Sequence, residues 1–455
     1  MKKFWLVLLS LGLVMAFSVS AFAVDVKVSA EYYAAGLYLN KIYLEDGKGT
    51  SQYDNPSTAF FFQRLRVGTD FVVSPCLKLV TRFDAMERIW GGQRSDTDDY
   101  DWMSAGTRAE SENIAFDVVY IDYTSPIGQF HVGYMPNDAW GTVFGNYATA
   151  YTTGQITYMK HVGQFTIVAG LAKDWDESSS AVASSSYTDR DVDIYRVGGI
   201  YNFNTGKVKG EAGIQLVYER DAYDRPESNS YLTQVYAIQP YFKAKVGPVD
   251  LQGEIHYFFG DYYKYEDYSS NTNMSISAMD VFLDATANLG MFYVGGSFAY
   301  LSGDDYNTED KYEGGWINSG GLDWNPCLIL FNNDTLGYWV DELYGFGPTS
   351  VRGPMENVWF FQGRVGVKPT PQLDAMLSVS YAKADKALST NKGPTPNLDY
   401  GTEIDITGTY KITNNLSYML GFGYLFTGDL LQGCGDPANR IVDDFILINK
   451  LTLTF

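Results

Sequence analysis

The sequence predicts an all-β protein, a transmembrane antiparallel β-barrel of about eighteen strands, with sixteen as the other strand number considered. Three features of the 455-residue chain predict this fold. Apolar and polar residues alternate along most of its length, short and long connections take turns between the alternating segments, and the last residue is aromatic. A two-residue period is typical of a β-strand with one apolar face.

The first 23 residues have the pattern of a signal peptide. Lys2 and Lys3 precede the apolar stretch "FWLVLLSLGLVMAFSV", and "AFA" at 21–23 is a small-residue cleavage site. We therefore expect an exported protein, with a signal peptide over 1–23 and the barrel over 24–455. A retained membrane anchor is the alternative. After Ala23 no apolar run reaches the roughly 18 residues of a transmembrane helix, so we expect none.

The composition narrows the class of partner. The formal charge is −21, and it becomes −23 when Lys2 and Lys3 leave with the signal peptide. So acidic a chain argues against nucleic acid as a partner, because binding to phosphates needs Lys and Arg. The 36 Tyr, 27 Phe and 9 Trp, together with only three Cys, favour an exported β-protein in a membrane.

The alternating segments provide the strands. In "LDAMLSVSYAKA" (373–384), Leu373 and Leu377 share one face and Asp374 and Ser378 share the other. Eighteen such segments are found near 25–44, 59–73, 77–90, 112–124, 129–135, 150–160, 164–174, 190–203, 207–220, 231–246, 249–262, 276–289, 291–302, 357–368, 373–384, 399–412, 415–428 and 440–455.

The connections between these segments indicate how the strands are arranged. Every second connection is a tight turn, such as "SPC" at 74, "NTG" at 204 or "GP" at 247, and the others are long and polar. Short turns at one end and long loops at the other are typical of a membrane barrel, with both chain ends on the periplasmic side. A soluble β-sandwich or propeller is the alternative, and sandwiches do not keep this strict alternation.

The C-terminal stretch "ILINKLTLTF" (446–455) predicts barrel closure. Leu451, Leu453 and Phe455 share a face, which we assign to lipid, and the last strand must pair with the first to leave no open edge. This tail resembles the C-terminal signature of Gram-negative outer-membrane proteins. That resemblance implies recognition by the barrel-assembly machinery and contact with outer-membrane lipid and lipopolysaccharide.

The polar face of each strand is expected to line the lumen, because an Arg against mid-bilayer lipid costs roughly 2–4 kcal/mol. On the neighbouring segments 59–73 and 77–90, the predicted lumen residues are Arg64, Arg66, Arg82, Asp84 and Arg88. Elsewhere they are Arg364, Glu254, Asp280, Asp284, Glu403 and Asp405. The four arginines of the neighbouring segments are expected to form one basic patch on the inner wall.

Two interpretations of these charges remain open. Opposed basic and acidic walls would set up a transverse field that filters polar solutes in a water-filled pore. Alternatively, the charges are paired in a solvated lumen and carry no selectivity. A barrel of 16–18 strands is wide enough for an aqueous channel.

Two long loops are candidates for narrowing that channel. The chain resembles the general porins in layout, and in those proteins the third loop folds inward and forms the constriction. Here the resemblance makes "PNDAWGTVFGNYAT" (136–149) the constriction loop, with Asp138 and Trp140 as candidate residues. The connection 303–356 is far longer, and loops of that length are usually functional or disordered. It is expected to be a lid, a plug or a subunit contact.

The sequence offers no constellation for catalysis. Outer-membrane barrel enzymes combine His with Ser or Asp, and no such arrangement stands out around the three histidines, His131, His161 and His256. We therefore expect no enzyme activity and no cofactor.

No metal site is expected either. The acidic stretches 95–102 and 302–310 lack the Gly and Glu spacing of an EF-hand loop, so solvated acidic loops are favoured over loose divalent-ion binding. Cys327 and Cys434 both fall in predicted outer loops, and a disulfide between them is our expectation, whereas Cys76 falls in a short turn.

These features together predict a Gram-negative outer-membrane porin, a water-filled channel for passive diffusion of small polar or charged solutes. "FFQRLRVGTDFVVSPCLKLVTRFD" and "VGYMPNDAWGT" resemble segments of porins loosely related to alginate exporters. The resemblance to general porins also implies a homotrimer. Two alternatives remain, a substrate-specific transporter of an anion or sugar, and the barrel sheath of a porin–cytochrome electron conduit.

Overall fold

The structure is a computed structural model of the chain. It describes residues 24–46, 55–91, 114–137, 139–146, 152–176, 190–225, 230–266, 271–315, 324–340, 351–390, 393–394, 397–430 and 440–455. The predicted signal peptide lies outside these residues.

Eighteen long strands run through the described residues, in agreement with the number predicted from the sequence. In chain order, β1 to β18 are Asp25–Leu39, Thr58–Ser74, Leu77–Ile89, Ala115–Ser125, Gly128–Pro136, Thr152–Val162, Phe165–Trp175, Val192–Asn204, Val208–Asp221, Tyr231–Val246, Val249–Tyr265, Met274–Leu289, Phe292–Leu301, Val358–Thr370, Leu373–Ala384, Asp399–Lys411, Leu416–Thr427 and Asp444–Thr454.

The strands form one closed antiparallel barrel. Each strand pairs with its neighbours in the chain, and β1 pairs with both β2 and β18. At the seam Glu31 is opposite Thr454, and Ala30 and Phe455 exchange two backbone hydrogen bonds of 2.9 and 3.0 Å. The terminal aromatic residue therefore completes the ladder, and the predicted closure is confirmed. Closure removes the open edge that a sheet cannot leave in lipid.

The two faces of each strand differ as the period predicts. On β14, Trp359, Phe361 and Val365 are exposed on the outer wall, whereas Phe360 and Gln362 point inward and are buried. The same alternation recurs around the barrel, so its outer wall is largely apolar. Strands of this kind suit a barrel that stands in lipid. No helix of the described residues is long and apolar enough to cross a membrane.

Short turns join the strands at one end of the barrel. The turn after β10 contains Gly247 with φ of 60°, and the turn after β12 contains Gly290 with φ of 71°. Glycine adopts this left-handed conformation without the steric cost that other residues meet. At the other end the connections are long.

Two described loop segments enter the lumen. The first inward loop, residues 139–146, is a small hairpin in which Ala139 pairs with Asn146. The second inward loop, residues 324–340, contains a short π-helix, Asn333–Gly337. Both loops contribute to one buried apolar cluster with inward side chains of the barrel wall. The lumen is therefore partly filled by the chain itself.

Candidate functional site: the barrel lumen

The arginines of β2 and β3 are paired with acids. Arg66 forms a two-pronged pair with Asp84, with Nε–Oδ1 2.7 Å and Nη2–Oδ2 2.6 Å. Arg82 binds Asp117 of β4, with Nε–Oδ2 2.8 Å. Charge-assisted pairs of this geometry hold both partners in place and neutralise each other locally. This wall is therefore not the single basic patch that the sequence suggested.

Arg64 lies between two carboxylates. Its guanidinium is 3.7 Å from Glu31 and 3.6 Å from Glu87, and it lies over the ring of Tyr33 with 5.2 Å to the centroid. Glu31 belongs to the first strand and Glu87 to the third. The ion pairs therefore link three adjacent strands on the lumen side of the barrel seam.

A bulge in β3 changes the predicted direction of Arg88. Met86 has φ of 53°, and the register shifts by one residue at this point. After the bulge Glu87 lies on the lumen side with Arg64, and Arg88 pairs with Gln63, which bonds the exposed Trp90. Arg88 therefore lies on the outer face, so its predicted place in the lumen is wrong. Glu87 faces the lumen instead.

Arg364 lies on the far wall and binds one of the predicted acids. Its Nη2 is 2.7 Å from Asp284 Oδ2, and its Nη1 is 2.8 Å from Ser297 Oγ. Ser297 in turn donates to Asp284, at 2.7 Å. Arg364 and Asp284 thus belong to one hydrogen-bonded group. The sequence had predicted that both residues face the lumen but had not paired them.

Glu254 holds the first inward loop. Its carboxylate accepts the backbone N–H groups of Thr142, Val143 and Phe144, at 2.8, 2.6 and 2.6 Å. The loop can come this close because residue 141 is glycine. Gly141 has φ of 82°, and a Cβ there would lie 2.0 Å from Glu254 Oε2. One carboxylate of the wall therefore fixes the turn of the loop.

Trp140 anchors the same loop at a second point. Its Nε1 donates to the carbonyl of Gln239, at 2.8 Å, and its ring meets Tyr241 edge-on at 5.2 Å between centroids. The indole lies against Gly198 and Gly213, where a Cβ would come within 3.0 and 3.1 Å of it. Trp140 is thus buried in the wall. Asp138, the other predicted constriction residue, lies outside the described residues.

Glu403 holds the second inward loop in the same manner. Its two carboxylate oxygens accept the backbone N–H groups of Ile329 and Leu330, each at 2.7 Å. Gln362 of β14 adds a hydrogen bond from Nε2 to the carbonyl of Pro326, at 2.6 Å. Both inward loops are therefore attached to the wall through their backbones, each by one glutamate that the sequence placed in the lumen.

Aromatic side chains join the two loops inside the barrel. Phe144 of the first loop meets Trp324 of the second, with 6.5 Å between ring centroids. Trp324 also packs against Phe282 and Phe360 of the wall, at 4.7 and 5.8 Å. Since aromatic pairs at such distances pack favourably, the loops and the wall form one unit. That unit narrows the lumen.

Asp280 of β12 is directly opposite His256 of β11 in the strand register. Asp280 has no exposed surface, and neither of its carboxylate oxygens has a hydrogen-bond partner among the described residues. His256 Nε2 lies 3.5 Å from Glu254 Oε2. The backbone of Gly315 packs against Asp280, where a Cβ would lie 2.1 Å from Oδ1. Asp280 and Glu254, two of the predicted acids of this wall, are thus deeply buried.

An open cavity of about 570 Å³ lies in the lumen at the short-turn end, and we call it the vestibule. Its charged and polar lining residues are Asn202, Lys209, Glu211, Lys243, Lys245, Asp250, Gln252 and Asp284. Lys245 pairs with Asp250 at 2.8 Å, and Lys243 stands 3.9 Å from Glu211. Three lysines therefore converge on one cavity.

These lysines were missed in the sequence analysis. Lys243 and Lys245 are two residues apart on β10, and the alternation that puts Tyr241 in the lumen puts both of them there as well. Lys209 of β9 is directly opposite Lys245. The same period that gave the arginines would have identified this group.

Cys327 lies in the second inward loop, and its buried thiol forms no disulfide within the described residues. One carboxylate oxygen each of Glu403 and Asp405 and the sulfur of Cys327 lie within 4.8 Å of one another. Burial and the charges of these carboxylates raise the pKa of the Cys327 thiol well above its usual value. Cys434 lies outside the described residues, so the disulfide between the two stays a prediction.

No family model matches the sequence, and no curated protein matches it. Solved structures do match over nearly the whole chain. Pseudomonas aeruginosa OpdK with vanillate is 12% identical with a TM-score of 0.51, and the match covers 94% of this chain and 99% of OpdK. OccK2 (OpdF) of the same organism, in complex with glucuronate, is 13% identical with a TM-score of 0.51, covering 95% and 98%.

A third structure of the same organism agrees. OccK8 (OprE) is 13% identical with a TM-score of 0.50, and the match covers 94% of this chain and 98% of OccK8. Likeness at such low identity concerns the fold. With its closed wall, its eighteen strands and its inward loops, this chain has the barrel fold of Gram-negative outer-membrane porins.

Proposed function

We propose that the protein is an outer-membrane channel through which small polar or charged solutes diffuse passively. The observation that carries the proposal is the contrast between the two faces of one closed barrel. Its outer wall exposes apolar residues such as Phe361 and Val365, while its lumen holds charged residues and a vestibule of about 570 Å³. Such a barrel suits lipid outside and water inside.

The inward loops make this a narrowed channel. The loops 139–146 and 324–340 and the wall residues that hold them take up part of the lumen, and the vestibule lies beyond them. Solutes would pass beside the loops. The arginines of β2 and β3 are paired with acids, so this wall would contribute little net field.

Single-channel recording tests the proposal. The purified, folded protein is inserted into a planar bilayer, and a salt gradient across the bilayer gives the ion selectivity. We expect steady conductance steps that are smaller than those of an unobstructed barrel of this strand number. Absence of conductance from protein that is folded and inserted would contradict a passive channel.

A preference for carboxylate-bearing solutes is a second candidate. It is favoured by the three vestibule lysines, Lys209, Lys243 and Lys245. Two of the similar structures are described with vanillate and with glucuronate, both of which carry a carboxylate. Saturable reduction of current by glucuronate, with no effect of uncharged glucose at equal concentration, would support it. Equal effects of the two sugars would count against it.

Other arrangements have less support. A cytochrome sheath needs an empty lumen, whereas two loops of the chain itself occupy part of this one. The histidines have wall contacts, since His131 lies 3.5 Å from Asp122 and His161 bonds Thr166 at 2.8 Å, so we propose a channel without enzyme activity. Outer-membrane lipid, lipopolysaccharide, the barrel-assembly machinery and a homotrimer remain proposed partners.

A further inference from the structure

We propose that Cys327, Glu403 and Asp405 form a binding site for one divalent transition-metal ion of the Zn²⁺ type. One potential ligand atom from each residue lies within 4.8 Å of the others, and all three side chains are buried. The thiol comes from the second inward loop and both carboxylates come from β16. The sequence did not suggest this site, because about 75 residues separate the thiol from the carboxylates and only the folded loop brings them together.

The charge balance around these groups points to a cation. Glu403 has no exposed surface and Asp405 is 3% exposed. Within the described part of the chain, neither carboxylate has a Lys, Arg or His as an ion-pair partner. A buried carboxylate without a counter-charge is costly, and proteins ordinarily pair such groups or use them to bind metals.

An unsatisfied oxygen marks the same position. Asp405 Oδ1 is buried and has no hydrogen-bond partner among the described residues. The neighbouring residue on β17 is Gly423, where a Cβ would lie 2.6 Å from this oxygen. Because residue 423 is glycine, no side chain there blocks Asp405 Oδ1. A buried acceptor without a partner calls for a bound ion or water.

Glu403 is oriented as a metal ligand should be. Its two oxygens accept the N–H groups of Ile329 and Leu330, at 2.7 Å each, and these bonds fix the carboxylate plane. A carboxylate has about four lone-pair positions, so Glu403 keeps positions for a metal beyond these two bonds, and a bound cation would replace the proton that Glu403 shares with Asp405. Outer hydrogen bonds of this kind hold ligands in place in known metal sites.

The set of ligand atoms selects the class of ion. A thiolate is a soft ligand that favours Zn²⁺ and related transition ions, whereas Ca²⁺ and Mg²⁺ require oxygen ligands in larger number. Two carboxylates and one sulfur leave a fourth position for water or for the hydroxyl of Ser378, which is opposite Asp405 on β15. Binding converts the thiol to a metal-bound thiolate, and both the thiol proton and the proton shared by Glu403 and Asp405 are released to solvent.

Titration of the full-length, reduced and chelator-treated protein with ZnCl₂ tests the site. We expect one Zn²⁺ per chain, with proton release seen as a dependence of the binding heat on the buffer. Cys327→Ser should weaken binding roughly tenfold or more. Cys76→Ser, which alters an exposed thiol in a short turn, is the matched control and should bind as the wild type does. Excess CaCl₂ or MgCl₂ should not compete.

Cobalt absorption gives a second, independent readout of the same site. Co²⁺ bound by Cys327 should produce thiolate-to-metal charge-transfer absorption in the wild type and in Cys76→Ser, and this absorption should be absent in Cys327→Ser. Asp405→Asn, compared after circular dichroism has established the barrel, should weaken binding as well.

Three results would overturn the proposal. The first is folded wild-type protein that takes up no Zn²⁺ and shows no cobalt–thiolate absorption. The second is a Cys327→Ser variant with wild-type affinity. The third is peptide mapping of the native protein that finds Cys327 bonded to Cys434, because a disulfide would remove the thiol. None of these results depends on whether the barrel conducts.

Discussion

Arg352 and Asp444 form an ion pair in which neither side chain has exposed surface, with 3.1 Å between Nη2 and Oδ2. Arg352 also donates to the carbonyl oxygens of Lys41 and Ile42, at 2.8 and 2.7 Å. Lys41 follows the first strand, and Asp444 begins the last one. The pair therefore ties the long connection before β14 to both sides of the seam that closes the barrel.

Removing one partner of this pair should destabilise the protein. Asp444→Asn removes the carboxylate charge that faces the buried guanidinium of Arg352, and breaking a buried ion pair in this way costs about 3–5 kcal/mol. We expect the free energy of unfolding in urea, measured in lipid vesicles, to fall by that amount. Lys264→Met removes a half-exposed pair with Asp261 and should cause no measurable change. Equal losses in the two variants would contradict the role of the buried pair.

Glu254→Gln should loosen the first inward loop. The amide keeps one acceptor oxygen but places an NH₂ group where the backbone N–H groups of residues 142–144 now donate, so at least one of these donors loses its acceptor. We expect larger and noisier single-channel conductance. Glu266→Gln is the control, since Glu266 pairs with Arg225 outside the vestibule and does not bond the loop backbone. Unchanged conductance in Glu254→Gln would mean that the loop does not limit the current.

The vestibule lysines should set part of the ion selectivity. Replacing Lys209, Lys243 and Lys245 together by Gln removes three positive charges from one cavity and leaves its acids in place. In a salt gradient we expect the reversal potential to move toward cation selectivity. Lys160→Gln removes a charge from the exposed end of β6, where the ammonium bonds the carbonyl of Pro126, and should leave the reversal potential unchanged. The same potential in all proteins would exclude the vestibule from the conduction path.

The bulge at Met86 predicts opposite behaviour at neighbouring positions. In a Cys76→Ser background, a charged thiol reagent should reduce the current through Glu87→Cys, because residue 87 faces the lumen beside Arg64. The same reagent should leave the current through Arg88→Cys unaffected, because residue 88 lies on the outer face opposite Gln63. The reverse result would show that β3 keeps strict alternation.

Alternation and connection length were sufficient to predict the fold. Each strand of a membrane barrel has apolar residues toward lipid and polar residues toward the lumen. Every strand therefore shows the two-residue period in its sequence. The terminal strand "ILINKLTLTF" carried enough pattern to predict its pairing with β1, and the structure has that pairing up to Phe455. Arg88 marks the limit of this reasoning, because a single residue with positive φ reverses the period after Met86.

The sequence did not predict which groups pair with the charged residues of the lumen. Arg82 binds Asp117 of the next strand, and this follows only from the strand register. Glu254 and Glu403 were identified as lumen residues, but their bonds to loop backbones depend on how distant segments fold into the barrel. Periodicity gives the direction of a side chain within its own strand. It carries no information on which loop that side chain will meet.

The attachment of the inward loops by Glu254 and Glu403 has a consequence for how this channel can change over time. Both glutamates bind backbone N–H groups, which every residue except proline provides. Side chains of these loops that face the solute path can therefore be exchanged without loss of the anchor, provided that residue 141 stays glycine. The wall fixes where each loop sits, and the loop sequence remains free to adapt to new solutes.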